Sequence, residues 1–162
     1  MRAGPSERAL LRAALRDFYE DYAACLDAGD LERWPDFFVE GCRYRVLSKE
    51  NHDAGLPLSL IYCDGRDMLI DRVTALREST VFEPRALRHF LSCVRPLEVD
   101  GDRIRAEANF AILECLSDRD PIVNMVGRYV DTLVETDEGF LIEDRWCVYD
   151  NYRIRTSLIV PV

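Results

Sequence analysis

Between residues 85 and 151 the sequence alternates, and this limits the fold more than any other feature. Ile104, Ala106, Ala108, Phe110 and Ile112 fall on one parity, and Arg103, Arg105, Glu107 and Asn109 on the other. Successive side chains of a strand point to opposite faces, so this segment reads as a strand with one face buried. Turn chemistry interrupts the run three times. Asp100-Gly101 is a two-residue hairpin signal, Ser117 to Pro121 a longer turn, and Asp137-Glu138-Gly139 a third. The strands between them span about 86–99, 102–116, 121–136 and 140–151, an antiparallel meander. In the last, Phe140, Ile142, Trp146 and Val148 are expected to share a face with Asp144 and Asp150.

Helices precede the sheet. Ser6 is a candidate cap for a helix after Pro5, whose buried stripe is Leu11, Leu15, Phe18, Tyr22 and Leu26, closed by Gly29 in the left-handed conformation. Asp30 to Trp34 starts a second helical turn that Pro35 keeps short, and Trp34, Phe37 and Phe38 are its packing load. Cys42 to Leu47 alternates as a strand, and Asn51 to Pro57 reads as a loop carrying His52. Asp64 is the predicted N-cap of a further helix, with Leu69, Val73 and Leu76 as its apolar stripe, ending near Ser79. Pro84 then holds Glu83 out of the α region and delivers the chain to a strand that opens on Arg88-His89. The class is α+β, a single domain over 1–162 with no internal repeat.

Bulk properties remove several function classes. At 162 residues and 48% hydrophobic, the chain can bury a substantial core. No apolar run approaches the ~20 residues of a membrane span, and the N-terminus lacks a secretory apolar region, so a cytoplasmic location is expected. A net charge of −9 argues against nucleic-acid and anionic-membrane surfaces, which call for clustered basic groups. Lys49 is the only lysine, and a GC-rich genome accounts for that bias. The six cysteines, Cys25, Cys42, Cys63, Cys93, Cys115 and Cys147, are scattered without a C-x-x-C pair or a nearby histidine. They read as small core residues, not as a disulfide frame or a zinc site.

Only His52 and His89 are available for metal ligation or acid–base work near neutrality. A Rieske cluster takes two histidines, and a mononuclear non-haem iron two more with a carboxylate, so this chain cannot hold both. No phosphate loop, G-x-S-x-G or H-E-x-x-H motif occurs. His89 shares parity with Leu87 and Leu91, which makes it either a structural histidine or a general base beside Asp64 or Asp144. His52 reads as a turn residue or a subunit contact. Tyr44, Tyr62 and Trp146 either line a pocket or fill the core.

The order of elements resembles the cystatin-like, NTF2-like cone of nuclear transport factor 2, ketosteroid isomerase and scytalone dehydratase. More specifically, the chain resembles the small (beta) subunits of aromatic-ring-hydroxylating Rieske non-haem iron oxygenases. Nearly its whole length takes part, from Phe18-Tyr19-Glu20 through Asp30-Leu31-Glu32-Arg33-Trp34 and Phe37-Phe38 onward. The telling pieces are Cys42-Arg43-Tyr44-Arg45-Val46, Asn51-His52, Gly55-Leu56-Pro57, the run Asp67 to Val73, Ala75-Leu76-Arg77-Glu78 and Arg88-His89. Within the family the resemblance is greatest to the small subunits of salicylate 5-hydroxylase and terephthalate 1,2-dioxygenase. The chain departs from better-known dioxygenase small subunits in a shorter N-terminal segment and in its His52 loop.

The resemblance implies a non-catalytic scaffold in a three-plus-three hetero-hexamer. In such an assembly the large (alpha) subunit carries the Rieske [2Fe-2S] cluster and the mononuclear Fe(II). Ferredoxin and reductase components supply electrons for NAD(P)H- and O2-dependent hydroxylation of an aromatic acid. On that reading the chain itself binds no metal or cofactor. Its expected contact residues are His52, Arg88, Arg103, Arg105, Arg153, Arg155, Leu158 and Ile159. The apolar tail Ser157 to Val162 is expected to dock, either on its own sheet or in a groove to a neighbour. Two other readings use the same cone: a free-standing isomerase or dehydratase that sets His89 with Asp64, Asp144 or Tyr44 in the cavity, and a ligand-binding module without chemistry.

Overall fold

The computed structural model describes residues 4–79, 81–154 and 158–162. Helix α1 (Pro5–Asp27) takes Gly4, not Ser6, as its N-cap; the Gly4 N–H donates to Glu7 Oε2 at 3.2 Å. Pro5 fits at the first position because its missing N–H would have had no partner there. Leu15, Tyr22 and Leu26 of the expected stripe are buried, joined by Tyr19, while Leu11 and Phe18 pack at its margin. A 3₁₀ turn over Trp34–Phe37 carries Pro35 near its start and buries Trp34 completely.

Strand β1 (Phe38–Ser48) leads into a short helix, α2 (Lys49–Asp53), where only a loop was predicted. Ser48 Oγ explains it, accepting the Asn51 N–H at 3.1 Å as an N-cap. After β2 (Ile61–Asp64) comes α3 (Arg66–Glu78), which buries Leu69, Val73 and Leu76 as the spacing predicts. Its N-cap is Gly65, at φ 94, and not Asp64. Asp64 is the last residue of β2 and pairs with Arg43, so the turn falls on the one residue able to adopt positive φ cheaply.

The remaining strands are β3 (Arg85–Asp100), β4 (Arg103–Leu116), β5 (Ile122–Thr136) and β6 (Gly139–Tyr149). They form the expected antiparallel meander, and β1 joins it by pairing parallel to β6. The sheet order is β2-β1-β6-β5-β4-β3. This mixed six-stranded sheet curves around the helices as an α+β, NTF2-like cone. Its concave side takes Ile104, Ala106, Ala108, Phe110 and Ile112 of β4, as the parity requires. Position 127 of β5 takes glycine because a Cβ there would sit 2.1 Å from the Val148 carbonyl oxygen of β6. Edge strand β3 carries a bulge at Cys93, with φ 54, and tolerates Pro96 because its outer N–H positions meet no further strand.

Strand β6 breaks the predicted parity. Leu133 pairs with Ile142 and Thr132 with Asp144, so Glu143 is an extra residue without a partner. Such a bulge reverses the alternation after it. Phe140 and Ile142 pack inward as expected, but Asp144, Trp146 and Val148 lie on the convex side and Arg145, Cys147 and Tyr149 turn toward the core.

All six cysteines are free; Cys25, Cys42, Cys63 and Cys147 are buried, Cys115 is half-buried and Cys93 is exposed at its bulge. Burial pushes the Cys42 thiol up to about 11 and the Cys147 thiol up to about 12, which keeps both protonated near neutrality.

Candidate functional site

The concave face is closed by its own groups. Asp131 shares β5 parity with Tyr129 and Leu133 and therefore points into the core. Arg145 meets it in a two-pronged contact, Nε to Oδ1 at 3.0 Å and Nη2 to Oδ2 at 2.6 Å, with both side chains 0% exposed. Tyr19 donates its hydroxyl to Asp131 Oδ2 at 2.6 Å. The guanidinium carbon lies 4.1 Å from the Tyr22 ring centre and 4.2 Å from that of Tyr129. Burial works against the charge of Arg145, but the neighbouring Asp131 holds its pKa well above the ordinary value. Neither residue was picked out from sequence. The parity of Asp131 was readable; that of Arg145 was hidden by the Glu143 bulge.

The tail enters the same interior. The Val162 main-chain oxygen accepts from Tyr22 Oη at 2.8 Å and Tyr44 Oη at 3.1 Å, and the Val162 N–H donates to Tyr44 Oη at 2.8 Å. Arg72 Nη2 donates to the Leu158 carbonyl at 3.2 Å. Leu158 and Ile159, two expected contact residues, are half-buried against this chain's own core. Arg153 is exposed, and Arg155 lies outside the described residues. Between the tail and Arg85, Leu87, Ile112, Glu114 and Asn124 about 20 Å³ remains, room for roughly one water molecule.

His89 lies inward with Leu87 and Leu91, and its carboxylate partner is Asp27. Nδ1 is 2.6 Å from Asp27 Oδ1, and the same carboxylate accepts the His89 backbone N–H at 3.1 and 3.2 Å. Asp64 and Asp144, the expected partners, are elsewhere: Asp64 is exposed at the end of β2, and Asp144 is turned outward by the bulge. Asp27 is the last residue of α1, so the contact ties that helix end to the edge strand β3. His89 Nε2 is buried without a hydrogen-bond partner. The pair has the chemistry of a general base, and the His89 side chain is fully buried.

The convex face has a covered half and an open half. Helix α2 packs on β1 and β6, and His52 stands edge-on to Trp146 at 5.6 Å with its Nδ1 3.2 Å from Asp53. Arg45 stacks on Trp146 at 4.0 Å and meets Asp144 at 3.3 Å. On β3, β4 and β5 the face is bare. Phe90, Ala111 and Val126 form one row across three strands, and Ser92, Asn109 and Arg128 form the next. Phe90 is 59% exposed and Val126 41%, an apolar row edged by Arg88 and Arg128. With Asp150 these rows line a groove of about 380 Å³. Arg88 is exposed and 3.9 Å from Asp27, whereas Arg103 and Arg105 are engaged with Glu143 and Glu98.

Among the described residues no three His, Cys, Asp or Glu side chains gather in a way that could hold a metal ion. His52 and His89 lie on opposite faces of the sheet, so the donors present do not fit a Rieske cluster or a facial iron triad. No helix among the described residues is long and apolar enough to cross a membrane.

A curved six-stranded sheet wrapped around its helices, with the tail entering the interior, defines the class: an NTF2-like fold. Comparison with known proteins gives the family. Residues 22–156 match the family model of the ring hydroxylating beta subunit. The chain is 35% identical over 141 residues to the anthranilate 1,2-dioxygenase small subunit of Burkholderia cepacia, covering 87% of this chain and 88% of that one. It is 31% identical over 145 residues to a beta subunit of the terminal oxygenase component of terephthalate 1,2-dioxygenase from Comamonas, covering 90% and 94%. A crystal structure from Novosphingobium aromaticivorans, assigned as the beta subunit of an aromatic-ring-hydroxylating dioxygenase, superposes with a TM-score of 0.87 at 36% identity, covering 95% and 98%. The protein belongs to the small, or beta, subunits of the aromatic-ring-hydroxylating dioxygenases.

Proposed function

We propose that this chain, one domain over 1–162, is the non-catalytic scaffold of a cytoplasmic Rieske-type oxygenase acting on an aromatic acid of the salicylate, anthranilate or terephthalate type. Its partner is the large subunit, which carries the [2Fe-2S] cluster and Fe(II), in a three-plus-three assembly fed by ferredoxin and reductase. The observation that carries this reading is the contrast between a filled interior and the bare row Phe90–Ala111–Val126. Contiguous exposed apolar surface on a folded chain marks a contact with another protein. The names of the two relatives, an anthranilate and a terephthalate dioxygenase, support the substrate class. Co-expression with a large subunit should give a brown, iron-bearing complex of larger mass, and the chain alone should be colourless and free of stoichiometric iron or zinc. A chain that binds one metal on its own, or ignores the large subunit, contradicts the proposal.

The His89–Asp27 pair favours a second reading, a free-standing cone-fold isomerase or lyase. A colourless chain with such activity alone would carry that reading instead.

A further inference from the structure

The contacts of Val162 are those of a ligand in a built site. Two buried tyrosine hydroxyls converge on its main-chain oxygen, and both are fixed as donors. Trp34 Nε1 donates to Tyr22 Oη at 2.9 Å; indole has no acceptor, so Tyr22 must accept from it and turn its own proton to Val162. Tyr44 accepts the Val162 N–H, which leaves its proton for the Val162 oxygen. Burial raises the pKa of both tyrosines, so both protons stay in place near neutrality. Cys147 Sγ, 3.5 Å from the same oxygen, completes a cradle of three donors. Beside it Arg145, fully buried, keeps Nη1 without a partner, and Tyr129 Oη is also unpartnered. The rest of the segment makes apolar contacts only of a general kind: Leu158 to Val162 fill space against Leu87 and Ile112. A further anchor among the described residues is Arg72 on the Leu158 carbonyl.

We propose that the cone holds a binding site for a small apolar carboxylic acid, which residues 158–162 occupy in this conformation and which such an acid takes by displacing them. The acid's carboxylate would replace the Val162 oxygen between Tyr22 and Tyr44, and its apolar body would replace the tail side chains beside Leu87 and Ile112. A hydrocarbon of the same shape leaves both tyrosine donors unpaired, and an alcohol accepts from them only as a neutral group while bringing a proton of its own that needs an acceptor, so the charge-assisted bonds of a carboxylate set the selectivity. The site would let the subunit respond to an acid without performing chemistry on it. It does not depend on the assembly role, because the test uses the chain alone.

The probe is benzoate, with benzyl alcohol as the control. In the full chain, saturating benzoate should speed amide hydrogen exchange at 158–162 several-fold, and benzyl alcohol should not. A chain ending at residue 157 should bind benzoate about tenfold more tightly than the full chain, because the tail no longer competes, and Tyr44→Phe should weaken binding about tenfold for one lost charge-assisted hydrogen bond. Unchanged exchange of 158–162 under benzoate overturns the proposal, whether or not the shortened chain folds. So does a folded shortened chain that takes no benzoate, or one whose binding ignores both Tyr22→Phe and Tyr44→Phe.

Discussion

The two faces of the sheet are built from similar residues and put them to opposite use. On the concave face the aromatic and charged groups are turned on one another: Asp131 on Arg145, Tyr19 on Asp131, Tyr22 and Tyr44 on Val162. On the convex face, over β3, β4 and β5, Phe90 is 59% and Val126 41% exposed among the described residues. An interior in which the protein supplies its own occupant has little left for a substrate. An exposed apolar row is the kind of surface that a partner protein covers in the proposed assembly.

The largest expected effect lies on the inner side. Asp131→Ala leaves Arg145 charged and unpaired at 0% exposure, and loss of one partner of a buried pair costs about 3–5 kcal/mol. Denaturant unfolding should show that loss, and replacing both residues with apolar ones of similar volume should recover most of it. A loss below about 1 kcal/mol would place the pair among solvent-screened contacts and remove the distinction between the faces. On the outer side, Val126→Asp should leave the stability of the isolated chain within about 0.5 kcal/mol of its starting value.

His89→Ala comes next. It removes the Nδ1 contact that ties β3 to the end of α1, a hydrogen bond to a charged group worth about 1.5–3 kcal/mol. Stability and assembly should fall while turnover per assembled iron site stays the same. A variant that assembles fully yet loses turnover by orders of magnitude would return the histidine to chemistry.

The smallest effect is at the surface. The Arg77 guanidinium, bonded to both carboxylate oxygens of Glu32, lowers the Glu32 pKa from 4.5 to about 2. A carboxylate whose folded value is depressed adds stability that is complete above its unfolded value and is lost as pH falls through the folded one. The contribution of Glu32 should therefore be present above pH 4.5 and fade toward pH 2. Arg77→Ala should flatten that part of the acid unfolding curve; an unchanged slope would mean that solvent screens the pair entirely.

The strands were legible because period-two spacing and turn residues act locally. The β4 parity from Ile104 to Ile112 needed nothing else. What could not be read depended on contacts distant in sequence. Glu143 is an ordinary strand residue in sequence, and only its pairing with β5 makes it a bulge, so Asp144, Trp146 and Val148 were expected on the face of Phe140 and Ile142 and lie on the other. Asp27 lies just before the glycine that closes the first helix and carries no local signal, and only the fold brings His89 to it. The tail was rightly read as a docking segment, but hydropathy does not say which surface receives it. The bare row on the convex face was similarly hidden, since Phe90, Ala111 and Val126 are neighbours only through the strand register.

The central claim is that this chain works through its open outer face. The direct measurement is sizing and iron content of the complex formed with the large subunit by a Phe90→Asp, Val126→Asp double variant, alongside the unfolding curve of that variant alone. The account predicts a chain that folds as before and no longer forms the iron-bearing complex. A variant that assembles fully and supports unchanged hydroxylation would contradict it.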